Sequence, residues 1–139
     1  MLHTIISGID ELSNDSECLL KTFSTIKYTT IESDSELKKA FKKCDIFWFR
    51  LNHKITKDIV ENAKCKYILC AATGLDHIDL KACTENGISV ISLKGEVEFL
   101  KEVRATAEHT LGLLLTLIRK SKNAFKHVEN GIKHTVSTT

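Results

Sequence analysis

The sequence predicts an α/β fold, a parallel sheet flanked by helices, on three observations. Two short runs, Ile46-Phe47-Trp48-Phe49 and Tyr67-Ile68-Leu69-Cys70, are apolar at consecutive positions. That is the pattern of strands buried on both faces of a parallel sheet. Candidate strands alternate with amphipathic helical stretches through the first 95 residues, which argues for right-handed βαβ crossovers. Finally, the second run passes directly into Ala71-Ala72-Thr73-Gly74. A strand ending in small residues and glycine brings bare backbone N–H groups to the carboxyl edge of the sheet, where α/β proteins bind ligands.

Taken in order, Leu2 to Ile6 reads as a first strand broken at Ser7-Gly8. Asn14 with Glu17 three residues on resembles a capping box, opening a helix through Cys18, Leu19 and Leu20. Ile26, Tyr28 and Thr30 alternate as in a half-exposed second strand. Ser33 or Asp34 starts a helix that puts Leu37, Ala40, Phe41 and Cys44 on one face and four lysines outside. The third strand, Ile46 to Phe49, ends at Arg50, and Thr56 is placed to cap a helix with Ile59, Val60 and Ala63 inward. After the fourth strand, Asp79 is placed to cap a helix from Leu80 to Glu85 that Asn86-Gly87 closes. Ile88 to Ile91 forms a fifth strand.

The last third has a different pattern. From Glu96 to Ser121 the spacing predicts one long helix, acidic at its start and basic at its end, about 40 Å long. Val103, Ala107, Leu111, Leu114 and Ile118 form one stripe, while Leu113, Leu115 and Leu117 fill other faces. A helix apolar nearly all round calls for burial on more than one side, by a second domain or a second subunit. A further helical piece from Lys122 to Asn130 and a frayed tail over 131–139 complete the reading.

The bulk composition narrows the function classes. The chain has 139 residues, 42% of them apolar and 27% charged, so it can bury a core and does not look disordered. A net charge of +2 with no basic patch gives no reason to expect nucleic acid as a partner. No apolar run, Leu111 to Leu115 included, comes near the length that crosses a bilayer, and Met1 leads straight to Ile5-Ile6 without a leader pattern. A cytoplasmic protein with no membrane partner is the expectation. Five cysteines with no CxxC spacing read as reduced thiols, and the six histidines share no metal-ligand spacing, so no metal site is expected.

The candidate chemistry collects at one edge. Arg50 ends a buried strand beside the place where Thr73-Gly74-Leu75 emerges. A guanidinium there can hold a carboxylate or phosphate through paired hydrogen bonds, with the glycine loop adding N–H donors. The plain alternative is a surface arginine paired with a carboxylate such as Asp76. His53 and His77 lie on loops at the same edge and read as solvent-facing or structural, since no carboxylate partner is assignable. No GxGxxG follows the first strand, where only Gly8 occurs, and no Walker loop is present.

The segments from Arg50 to Thr56, from Lys66 to Leu80, from Asn86 to Val90 and from Ala105 to Gly112 together resemble the D-isomer-specific 2-hydroxyacid dehydrogenases. The D-3-phosphoglycerate dehydrogenase branch is the most alike. The resemblance implies a flavodoxin-like substrate domain over residues 1–95, followed at 96–130 by an interdomain helical segment. It implies that Gly74 and Leu75 bind the substrate carboxylate through backbone N–H groups and that Arg50 holds an anionic end of the substrate. Thr73 and Thr106 match positions that touch the cofactor, which is NAD with NADP not excluded. Leu51 stands where the phosphoglycerate branch has a polar residue, and Ser92-Leu93-Lys94 where a proline-containing turn is usual.

The family's nucleotide-binding domain and its catalytic residues follow the interdomain helix, so no catalytic residue is expected among these 139. The expectation is therefore the N-terminal substrate-domain portion of an NAD-dependent oxidoreductase acting on a small 2-hydroxy or 2-oxo acid, inactive alone and homodimeric through its helix when intact. The alternative is a non-catalytic module of the same fold, such as a response-regulator receiver, although the third strand ends in Phe49-Arg50 rather than a phosphate-accepting aspartate.

Overall fold

The computed structural model describes residues 1–131. It divides into two compact units, Met1–Glu96 and a second from Val97 onward. The first is an α/β unit with a five-stranded sheet in the order β2-β1-β3-β4-β5. Its strands are β1 (Leu2–Ser7), β2 (Ser24–Tyr28), β3 (Ile46–Phe49), β4 (Tyr67–Cys70) and β5 (Ser89–Ser92). Every pairing is parallel, with Ile6 opposite Tyr28, Ser7 opposite Phe49 and Phe49 opposite Cys70. Helices α1 (Asn14–Lys21), α2 (Asp34–Phe41), α3 (Lys57–Val60) and α4 (Leu80–Glu85) connect the strands.

The central strands are buried as their sequences require. Phe47, Phe49 and Ile68 are fully enclosed and pack with Leu37, Phe41, Val60 and Cys65 into the main core. The rings of Phe41 and Phe47 lie 4.8 Å apart, and those of Phe47 and Phe49 5.6 Å. A smaller cluster of Ile6, Leu12 and Leu20 covers the other face of β1. Tyr67 departs from the expected two-sided burial. It opens β4 at the amino edge and is exposed.

All five cysteines are free, and four of them are buried, Cys18 being exposed. The hydrogen bond with Cys65, together with burial, pushes the Cys44 thiol far above its usual range. Burial and the nearby Asp79 raise Cys83 to about 11. With their pKa values raised, Cys44 and Cys83 stay protonated and serve as small apolar side chains.

Local capping differs in detail from the sequence reading. Ser13, one residue before Asn14, caps α1 by accepting from the Ser16 N–H. Ser33 caps α2 and Asp79 caps α4 as expected. Thr56 occupies the cap position of α3 without a side-chain bond. That helix is a single turn, stopped before Asn62, whose φ of 56° is left-handed.

The second unit corrects the expectation of one long helix. Two helices, α5 (Val97–Lys101) and α6 (Ala105–Ile118), stand in place of the one expected from Glu96 to Ser121, while α7 (Ser121–Glu129) matches the further helical piece expected from Lys122 to Asn130. The first break is a tightened turn, in which the Glu102 and Val103 N–H groups donate to the carbonyls of Phe99 and Leu100, three residues back. The second falls at Lys120, which adopts φ 51°. Neither site carries proline or glycine, so no helix breaker marks the first break in the sequence. At 14 residues, α6 is about 21 Å long, half the expected length. Its leucines are exposed, from 49% at Leu114 to 77% at Leu117. The tail expected to fray, over 131–139, lies outside the described residues apart from Gly131.

Candidate active site at the carboxyl edge of the sheet

The loops leaving β3 and β4 carry the candidate residues, and the backbone ties the two loops together. The Ala71 N–H donates to the Phe49 carbonyl at 3.0 Å, extending the β3–β4 ladder by one bond. Beyond it, Ile55 and Ile78 form an isolated parallel bridge. There the Ile55 N–H donates to the His77 carbonyl and the Asp79 N–H to the Ile55 carbonyl, both at 2.8 Å. Ile55 and Ile78 are buried, so the bridge is anchored in the core. Cys70 adds a contact from its Sγ to the Arg50 carbonyl at 3.4 Å. Arg50 and Gly74 are thus set at one edge by structure on both sides of them.

Within that frame, Thr73 and Gly74 are exposed and Leu75 is half-buried. The Leu75 carbonyl accepts from the Ile78 N–H, which closes the turn. Among the described residues, neither the Gly74 nor the Leu75 N–H donates a hydrogen bond. Adjacent N–H donors left unpaired on a held loop are groups from which an anion can accept hydrogen bonds. Gly74 does not need glycine for its own backbone angle. An added Cβ there would meet only Asp76 Oδ2, at an ordinary 3.8 Å.

Arg50 is exposed, and among the described residues it makes no ion pair, with Asp76 or with any other carboxylate. Its guanidinium is available to a ligand. Leu51 beside it is also exposed, at 63%, an apolar side chain at an otherwise polar rim.

The two histidines are held in place. His53 packs on Phe47 and Phe49, with ring centroids 6.0 and 5.9 Å away. Its Nε2 lies 2.8 Å from both Ser7 Oγ and Asn52 Nδ2. An amide N–H can only donate, so Nε2 accepts and the ring is neutral in this arrangement. Burial also holds the His53 pKa below its ordinary value. His77 stands edge-on to Phe49 at 5.4 Å, with its Nε2 3.5 Å from Cys70 Sγ. Both are structural parts of the edge, packed on either side of Phe49. The link from Ser7 to His53 spans 46 residues, and no local sequence signal reveals it.

Thr106 lies in α6, in the second unit, while Thr73 lies in the first. No group of three or more histidine, cysteine or acidic side chains suited to a metal ion occurs among the described residues. No helix there is long and apolar enough to cross a membrane.

Comparison with known proteins decides the family. The profile of the D-isomer specific 2-hydroxyacid dehydrogenase catalytic domain matches residues 5–138. This chain belongs to that family. It is 31% identical over 123 residues to a D-3-phosphoglycerate dehydrogenase of Methanocaldococcus jannaschii, matching 88% of this chain and 22% of that protein. It is also 31% identical over 125 residues to a hydroxypyruvate reductase of Thermotoga maritima, covering 88% of this chain and 39% of the relative. The chain therefore spans between about a fifth and two fifths of the length of these relatives.

Among solved structures, D-lactate dehydrogenase of Aquifex aeolicus, complexed with NAD and lactic acid, superposes with a TM-score of 0.71 at 24% identity. That match covers 96% of this chain and 39% of the other. It shows the shared fold. The family match favours the dehydrogenase reading over the receiver alternative.

Proposed function

We propose that this chain is the substrate-holding part of an NAD-dependent D-2-hydroxyacid dehydrogenase. One observation carries the reading: two unpaired N–H groups, Gly74 and Leu75, on a loop pinned to the Arg50 loop through the Ile55–Ile78 bridge. A substrate carboxylate there accepts from both N–H groups, with the Arg50 guanidinium supplying positive charge. Held at that end, a 2-oxo or 2-hydroxy acid presents its second carbon away from the sheet edge, where hydride transfer takes place.

The residues present do not fit a whole dinucleotide. The turn after β1 has Gly8 alone, followed by Ile9 and Asp10, and the 139 residues contain no GxGxxG. NAD, or NADP in its place, is therefore assigned to a nucleotide-binding domain outside these residues, with Thr73 and Thr106 touching it from this side. The NAD held by the related lactate dehydrogenase structure supports that cofactor class. No residue described here is assigned as the acid–base group, since His53 and His77 are both engaged in packing and hydrogen bonding. The exposed leucines of α6 are assigned to an interface, with a second copy of the chain as partner in the intact protein. Phosphoglycerate and hydroxypyruvate, named by the two relatives, are the first substrates to try in the intact enzyme.

The reading is tested by incubating purified 1–139 with NADH and a panel of small 2-oxo acids while following absorbance of the reduced cofactor. No turnover above the buffer rate is expected. Sustained oxidation of NADH would overturn the assignment of the hydride-transfer machinery to residues outside this chain.

A further inference from the structure

A second feature of the same edge bears on which acids the site takes. Between the carboxyl ends of β1 and β2 lies an open cleft of about 480 Å³. Its wall includes Ser7, Asp10, Tyr28, Thr29, Thr30 and Asn52. Hydroxyl and amide groups share the wall with the apolar Ile9 and Ile31, and among the described residues Asp10 is the only carboxylate and no lysine or arginine lines it. Lys27, Lys39 and Lys43 line a separate depression that also contains Glu36.

The cleft is built into the fold. Gly8 turns the chain at φ 68°, and an added Cβ there would sit 2.5 Å from the Asn52 side chain. Asn52 is in turn fixed by its hydrogen bond to His53. The β3 loop therefore reaches the cleft through Asn52.

Sheet geometry sets the separation. The strand order places the β1–β2 gap two and a half strand spacings from β4, roughly 12 Å at about 4.8 Å per strand. A three-carbon acid held at Gly74-Leu75 extends only about 4 Å, at roughly 1.3 Å gained per C–C bond, and stops near Arg50. A six-carbon acid covers roughly 8 Å on the same rise, and a hydrogen bond of about 3 Å to the cleft wall closes the gap.

We propose that the β1–β2 cleft is a distal subsite, taking the uncharged, hydroxylated end of an extended 2-hydroxy or 2-oxo acid whose carboxylate sits at Gly74-Leu75. It rests on the carboxylate reading above. A terminal phosphate or second carboxylate is excluded there, because Asp10 repels it and no cation answers it.

The test is a set of amide NMR titrations of isotope-labelled 1–139 with three acids: D-lactate, D-gluconate and 6-phosphogluconate. D-gluconate is expected to shift the amides of Gly74 and Leu75 together with those of Gly8, Thr29 and Thr30. It should bind about fivefold more tightly than D-lactate, the increment of one or two net hydrogen bonds. D-lactate should shift Gly74 and Leu75 alone, and 6-phosphogluconate should gain nothing over it. Thr30→Val, with its fold verified from the same spectra, should bring gluconate affinity down toward that of lactate.

Equal affinities for lactate and gluconate, with no shift at Gly8 or Thr30, would overturn the subsite and leave the carboxylate loop standing. Tight binding of 6-phosphogluconate with shifts in the cleft would overturn the stated chemistry. If no acid moves Gly74 or Leu75, the carboxylate reading and the subsite fail together.

Discussion

The two units of this chain carry apolar residues in similar proportion but use them to opposite ends. In the α/β unit, Phe47, Phe49 and Ile68 have no solvent exposure at all. From Val97 onward, none of the three helices holds a buried residue, although Leu111 to Ile118 is the most apolar stretch of the protein. Burial of large side chains supplies most of the stability of a folded domain. The α/β unit therefore carries its own stability, whereas the helical unit displays apolar surface suited to covering by another surface. The candidate site belongs to the self-sufficient unit, which explains how the unpaired N–H groups of Gly74 and Leu75 can be held in place before any ligand arrives.

Substitutions in the two units should separate them. The largest effect is expected from Phe47→Ala, which empties the centre of the main core and should cost about 3–5 kcal/mol in chemical denaturation. Gly8→Ala comes next, at about 2 kcal/mol, because alanine resists a φ near +68° and its Cβ would press on Asn52. The same variant should disturb the amide signals of Asn52 and His53.

A smaller effect comes from His53, whose folded pKa is lowered by burial. The unfolded chain then binds more protons than the folded one as pH falls through the ordinary histidine value of about 6.5. The stabilising contribution is thus complete above that value and is lost between it and the lower folded pKa. Denaturation midpoints measured across this range should decline on acidification, and His53→Gln should flatten the decline. Leu117→Ala, at 77% exposure, should change monomer stability by no more than about 0.5 kcal/mol. A core-sized loss there would erase the contrast between the units.

Much of this was legible from residues alone because the signals were local. Consecutive apolar residues in β3 and β4 set the parallel sheet, and Asp79 set the start of α4. The position of Arg50 beside Thr73-Gly74-Leu75 followed from two strand ends lying side by side. What escaped was non-local or sub-periodic. The Ser7–His53–Asn52 contacts join segments 45 and 46 residues apart, and the Ile55–Ile78 bridge joins two loops that carry no strand pattern. The break between α5 and α6 escaped because it is a tightened turn with neither proline nor glycine to mark it. The Asn14 capping box was displaced by one residue, as Ser13 offers its hydroxyl to the Ser16 N–H first.

The most direct measurement is a titration of labelled 1–139 with pyruvate, followed at every amide, so that the helical unit is an internal control for the site. Saturable shifts at Gly74 and Leu75, weakened in Arg50→Ala, with the α6 amides unmoved, are the predicted result. Shifts confined to the helices, or no saturable change at Gly74 and Leu75, would contradict the placement of the carboxylate at this edge.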